Sequence, residues 1–163
     1  MPYEDSPLPS RRMPPSLLIV DDQVLVREGL SQLLRSATLP LGSVHAVATA
    51  AEALAYARTT PPDLVLLDVD LGGDDGLALL PLLGRQAHVM VLTCLTDTAT
   101  RTRAFGLGAS AFVGKHEPAS HMLIEVRALA DRYLRGEVPP TRVGGESGAS
   151  AGASSDVRGA SNF

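Results

Sequence analysis

Five polar residues stand at or near the ends of short apolar runs. Asp21 and Asp22 follow Leu17-Leu18-Ile19-Val20, and Asp68 lies near the end of Asp-Leu-Val-Leu-Leu-Asp68-Val69. Thr93 closes the run that begins at His88, and Lys115 follows Ala111–Gly114. Three carboxylates brought together repel one another, so some cation must offset them. Oxygen ligands of this kind suit Mg2+, which keeps several waters and is often completed by a phosphate. A lysine and a hydroxyl at the same place can hold phosphoryl oxygens. The chemistry these residues could perform together is phosphoryl transfer to a carboxylate, with a metal ion and a lysine neutralising the developing charge.

Such chemistry needs elements that bring the five residues to one place. Leu17–Val20 reads as a first strand and Val24–Arg35 as a helix, with Val26, Leu30, Leu33 and Leu34 at helical spacing. Val44–Ala48 reads as a second strand, and Ala50–Arg58 as a second helix with Thr49 at its N-cap. Pro61-Pro62 breaks the chain before a third strand, Asp63–Val69. Gly76–Leu83 reads as a third helix, kinked or shortened by Pro81. His88–Thr93 is a fourth strand, and Thr98–Leu107 a helix stopped by Gly106 and Gly108. Ala111–Gly114 is a fifth strand. Pro118–Arg135 is a fifth helix with Met122, Val126, Leu129 and Tyr133 on one stripe. Strands alternating with helices predict an α/β fold with a doubly wound parallel sheet of five strands. The strands are apolar throughout rather than alternating, as expected of a sheet covered on both faces. In such folds the site lies beyond the carboxyl ends of the strands, where the polar residues fall.

Composition narrows the function classes. The 163 residues are 45% hydrophobic and 20% charged, enough apolar material for one domain with tails. A formal net charge of -4, from 14 basic and 18 acidic residues, argues against a chain that itself binds nucleic acid. One cysteine, Cys94, excludes an internal disulfide framework and fits a reducing cytoplasm. No apolar run reaches the roughly 18 residues of a membrane span, and the first residues lack a signal peptide's apolar core. The expected location is therefore cytoplasmic, with no membrane contact. Residues 1–15 carry Pro2, Pro7, Pro9, Pro14 and Pro15 and read as a flexible arm. Residues 137–163 are rich in Gly, Ser and Ala and read as a disordered tail or linker, leaving 16–136 as the folded unit.

In the order in which they close their strands, these motifs resemble the response-regulator receiver family of two-component signalling, across residues 16–136. Leu-Leu-Ile-Val-Asp21-Asp22 is similar to its acidic pair, and Asp-Leu-Val-Leu-Leu-Asp68 to its phosphoacceptor strand. Val-Leu-Thr93 is similar to its switch hydroxyl, and Gly108-Ala-Ser-Ala-Phe112-Val-Gly-Lys115 to its aromatic and lysine. The wording from Asp22 to Leu30 is closest to regulators of the helix-turn-helix transcriptional branch. The resemblance implies a flavodoxin-like fold with strand order 2-1-3-4-5. Asp68 is then the acceptor of a phosphoryl group from a histidine kinase or phosphotransfer protein. Mg2+ is held by Asp22 and Asp68, by Asp21 through water, and by the backbone carbonyl of Asp70. Thr93 and Lys115 hold the phosphoryl oxygens. Phe112 turns inward as Thr93 moves, which changes the surface of helix 4, strand 5 and helix 5, the expected homodimer contact. The chain is then a signalling domain, not an enzyme beyond its own phosphorylation and dephosphorylation. A DNA-binding output domain would take about 60 further residues, so the chain reads as a single-domain regulator or as a piece of a longer one.

Some positions depart from that pattern. Asp70 and Leu95 alter the path of attacking water, Gly106 and Gly114 loosen helix 4 and strand 5, and His116 stands where some branches have proline. Plainer readings compete. Asp21 and Asp22 could cap the first helix, Lys115 could be a solvated surface lysine, and Phe112 a core residue. Cys94 reads as a small apolar side chain, and His45, His88, His116 and His121 as structural or surface residues without metal spacing. Gly108–Lys115 is no P-loop, because it has one residue too many between the glycines and His116 in place of Ser or Thr. Asp68-Val69-Asp70 resembles the Asp-x-Asp of haloacid-dehalogenase-type phosphatases, but on the third strand rather than the first. The remaining alternative is a pseudo-receiver, a protein-binding module with the fold but without phosphorylation.

Overall fold

The structure, a computed structural model, describes residues 12–140. Residues 1–11 and 141–163, most of the expected arm and tail, lie outside the described residues. Strand β1 is Leu17–Val20, helix α1 Val24–Ser36, β2 Val44–Val47, α2 Ala50–Thr59 and β3 Leu64–Leu67. A short 3-10 turn, Gly76–Leu79, leads into α3, Leu80–Leu83; then follow β4 His88–Thr93, α4 Thr98–Gly106, β5 Ala111–Gly114 and α5 Ala119–Leu134. The five strands form one parallel sheet in the order β2-β1-β3-β4-β5. The strand order and the doubly wound α/β class are those expected from the sequence.

Both faces of the sheet are covered, which explains the unbroken apolar strands. On one face Leu17, Ile19, Leu64, Leu66 and Met90 pack against Leu34 of α1 and Met122, Val126 and Leu129 of α5. On the other, Leu18, Val20, Val65, Leu67 and Val89 pack against Ala53 of α2, Leu80 and Leu83 of α3, and Ala104 of α4. Each fully buried leucine contributes on the order of 2 kcal/mol. Thr49 caps α2 as expected: its hydroxyl accepts the Glu52 N–H at 3.1 Å, and the Glu52 carboxylate accepts the Ala48 N–H at 3.0 Å. Helix α4 ends as its glycines predicted, with Gly108 at φ 102° beyond the last turn.

Two elements differ from expectation. The third helix splits, and Pro81 sits in the first turn of α3, where a missing N–H leaves no hydrogen bond unmade. Between β3 and that turn lies a tight antiparallel hairpin, Asp70–Leu71 against Asp74–Asp75. Its turn places Gly72 at φ 65° and Gly73 at φ 99°, a conformation that excludes most side chains.

At the sheet edge opposite the acidic residues, His88 is 3% exposed. Its Nε2–H donates to the Glu137 carbonyl at 3.0 Å, which leaves Nδ1 to accept from the Ser110 hydroxyl at 3.5 Å. Burial pushes the His88 pKa below the ordinary histidine value, and the positive charge of Arg132 adds to this. The Glu137 carbonyl and carboxylate act in the opposite direction. A folded pKa below the unfolded value means that the unfolded chain binds the proton first. Stability is therefore expected to fall as pH drops below about 6.5 toward the lower folded value. Urea denaturation at several pH values should show this slope in the native chain and not in His88→Gln; equal slopes in both would overturn the assignment.

Candidate functional site

The strand order reverses between β1 and β3, and the acidic residues gather there. Asp21 and Asp22 leave the end of β1, Asp68 leaves β3, Thr93 ends β4 and Lys115 follows β5. The backbone ties these ends together: Asp68 N–H donates to Val20 O at 3.0 Å, and Lys115 N–H to Thr93 O at 2.9 Å. The buried strands thus deliver five polar groups to one rim, as read from the sequence.

Lys115 lies at the centre. Its ammonium is 2.6 Å from an Asp21 carboxylate oxygen and 2.7 Å from an Asp68 oxygen, with its side chain only 12% exposed. That excludes the reading of a solvated lysine. Burial works against the ammonium charge, but the bonds and charges of Asp21 and Asp68 outweigh it and raise the Lys115 pKa. Burial pushes the Asp21 carboxyl up, and the neighbouring Asp68 charge adds to this; the Lys115 bond and the Gln23 N–H oppose it. Asp21 and Asp68 are buried, whereas Asp22 is exposed. One oxygen from each lies within 4.8 Å of the others. Three carboxylates against one ammonium leave an excess of two negative charges, which a divalent cation would balance. A hard oxygen-only donor set open on the Asp22 side fits Mg2+.

The helix-capping reading of the acidic pair holds only in part. Asp21 accepts the Gln23 N–H at 2.9 Å, but Gln23 is the N-cap of α1 and makes no side-chain cap. Thr93 is buried, and its hydroxyl accepts the Leu95 N–H at 3.1 Å, which leaves its own O–H to donate. Asp70 is exposed; its N–H donates to Asp68 Oδ1 at 3.3 Å, and its carboxylate accepts the Gly73 N–H at 3.4 Å within the hairpin. Phe112 is half-buried, tilted against Phe105 of α4 with ring centres 6.5 Å apart. Cys94 is a free, exposed cysteine. Gly114 does not loosen β5. Its N–H donates to the Glu117 carboxylate at 2.5 Å, and a Cβ there would meet Thr96 Cγ2 at 2.8 Å.

One positioning residue escaped the sequence reading. A Cβ on Gly76 would lie 1.9 Å from the backbone oxygen of Asp68, and the Gly76 N–H donates to Val69 O at 2.6 Å. Its only sequence signal is a glycine between Asp75 and the apolar Leu77.

Comparison with known proteins places these features in company. The response regulator receiver domain profile matches residues 17–127. The Fimbriae Z protein of Salmonella typhimurium is 30% identical over 124 residues, covering 74% of this chain and 58% of that protein. The transcriptional regulatory protein LnrK of Bacillus subtilis is 31% identical over 127 residues, covering 76% and 56%. The chain spans between half and three fifths of the length of the curated relatives it matches first. Among solved structures, the BeF3-activated N-terminal receiver domain of Klebsiella pneumoniae RstA superposes with a TM-score of 0.64 at 26% identity, covering 71% of this chain and 97% of that one.

Proposed function

The chain belongs to the response regulator receiver family, and on that premise we propose that Asp68 accepts a phosphoryl group in a Mg2+-dependent reaction that switches the α4-β5-α5 surface. The observation that carries this is the Asp68 carboxylate held by Lys115 beside Asp21 and Asp22.

In the proposed step an Asp68 carboxylate oxygen attacks the phosphorus of a phosphohistidine or a small acyl phosphate. A P–O bond to Asp68 forms as the donor's P–N or P–O bond breaks, and the leaving group takes up a proton. Lys115 is already in place to meet the charge of the transferred phosphoryl oxygens, and Thr93 has a hydroxyl proton to donate to one of them. Asp21, Asp22 and Asp68 would hold Mg2+, completed by the Asp70 carbonyl. When bound, the ion supplies the positive charge that phosphoryl transfer needs between donor and acceptor oxygens. The new charge on Asp68 draws Thr93 toward it, and Phe112 follows into the space vacated.

The partner that supplies the phosphoryl group is a sensor histidine kinase or phosphotransfer protein, and the location is cytoplasmic. No described helix is long and apolar enough to cross a membrane. Regulation of transcription, which the names of several relatives carry, is the output we assign to the longer protein of which such a domain forms part. The unit that folds is taken as 16–136, with the α4-β5-α5 face as the homodimer contact.

Intact mass after incubation with Mg2+ and acetyl phosphate tests the reading. A single phosphoryl adduct is expected on the native chain, with none on Asp68→Asn and none in chelator. If the native chain takes no adduct and fails to bind Mg2+ with beryllium fluoride, the chain is a phosphorylation-independent binding module.

A further inference from the structure

Helix α4 has little apolar grip on the domain: of its residues only Ala104 is buried. Two arginines add contacts to it. Arg103 pairs with Asp75 in the loop that follows Asp68. Arg101 lies 5.3 Å from the centre of Phe105, four residues along the same helix, and 5.5 Å from the centre of Phe112 on β5. Beside Phe112 a cavity of about 350 Å³ is lined by Thr96, Arg101, Phe112, Gly114, His116 and Glu117. The ring therefore has open space next to it and a cation over it.

We propose that Arg101 is the latch of the resting state, holding Phe112 in its half-exposed position and α4 against β5; this rests on the receiver reading above. The contact with Phe105 lies within one helix and survives any rigid movement of α4. The contact with Phe112 is the tertiary one and is lost when that ring turns inward. An interaction made in one state and not the other biases the equilibrium between them. A guanidinium over an aromatic face at a solvent-exposed site shifts such a ratio by about two- to fivefold. Arg101 is exposed; its charge also reaches Glu117, but Lys115 and not Arg101 pairs with the carboxylates of the acidic site, so its removal acts on the switch and not on the chemistry.

The test measures the affinity of the chain for beryllium fluoride in the presence of Mg2+, by calorimetric titration. Native, Arg101→Gln, Phe112→Leu and the double variant are compared. Arg101→Gln is expected to bind about two- to fivefold more tightly than native. In the Phe112→Leu background the same substitution should change nothing. A residue that merely supported the fold would lower the melting temperature without tightening the ligand. If the native chain binds and Arg101→Gln binds equally or more weakly, or if the gain persists without Phe112, the latch is wrong. If the native chain does not bind at all, the receiver reading itself fails and the latch with it.

Discussion

Exchanging Lys115 for methionine is expected to lower stability by about 3 kcal/mol in the presence of chelator, and to make that stability respond strongly to Mg2+. The methionine replaces the stem at similar volume, so the loss is one of charge. Asp21 and Asp68 each lie within 2.7 Å of the ammonium and are nearly enclosed. Removing the cation leaves two buried carboxylates facing each other with Asp22 close by. The cost falls at the lower end for buried pairs because the Asp22 side is open to water. The same change removes the cation that competes with metal, so Mg2+ should bind more tightly. A tenfold tightening would return about 1.4 kcal/mol at saturating Mg2+ through mass action. The raised Lys115 pKa adds an alkaline signature. Its stabilisation is complete below the ordinary lysine value and is lost as pH rises through the folded one, and that loss should be absent from the methionine variant. Urea denaturation with chelator, with Mg2+ and across alkaline pH reads all three. A loss within about 0.5 kcal/mol, or the same Mg2+ response in both proteins, would show that Lys115 does not balance the cluster.

The cluster was legible because of how a parallel sheet is built. Strands buried on both faces must be apolar, so a polar residue that interrupts the run marks where the strand leaves the sheet. Asp21, Asp68, Thr93 and Lys115 are all marked in this way, and parallel direction brings the marks to one edge. What could not be read has no such signal. The hairpin between Asp70 and Asp75 is two residues of ladder on each side, too short for any alternation to show. The role of Arg101 depends on the distance between α4 and β5, which helical spacing within α4 does not contain. His88 reads as an ordinary strand residue until the chain beyond α5 returns to cover it. Gly114 reads as a weak point in a strand, yet in place it is where Glu117 and Thr96 close on the backbone. Each miss is a contact between segments remote in sequence or a close approach of backbone, quantities that periodicity does not encode.

Gly76 is the clearest of these, and substituting it is the second large effect expected. Gly76→Ala should destabilise the domain by about 3 kcal/mol and abolish phosphoryl uptake by Asp68. Unlike Gly72 and Gly73, Gly76 has no positive φ, so an alanine there is not strained by its own backbone. The obstacle is space. Its Cβ would sit 1.9 Å from Asp68 O, 2.9 Å from Asp68 C and 3.0 Å from Val69 O. These are backbone atoms of the proposed acceptor itself, held by the bond from Asp68 N–H to Val20 O, and no flexible side chain can yield in their place. Either the hairpin lifts away, breaking the Gly76 N–H bond to Val69 O, or Asp68 is displaced from Lys115. Both outcomes disturb the acceptor, and they can be told apart. Lifting the hairpin would take the Asp70 carbonyl away from Mg2+ yet leave the Lys115–Asp68 pair and its alkaline signature, whereas displacing Asp68 would lose that signature as well. Urea denaturation and Mg2+ titration on the alanine variant, with Gly73→Ala as a comparison at a site with nothing within 4 Å, separate steric from conformational cost. Gly73→Ala should lose about 1 kcal/mol from its positive φ alone and keep its phosphoryl uptake. If Gly76→Ala is no more harmful than Gly73→Ala, the close approach to Asp68 is not what places the acceptor.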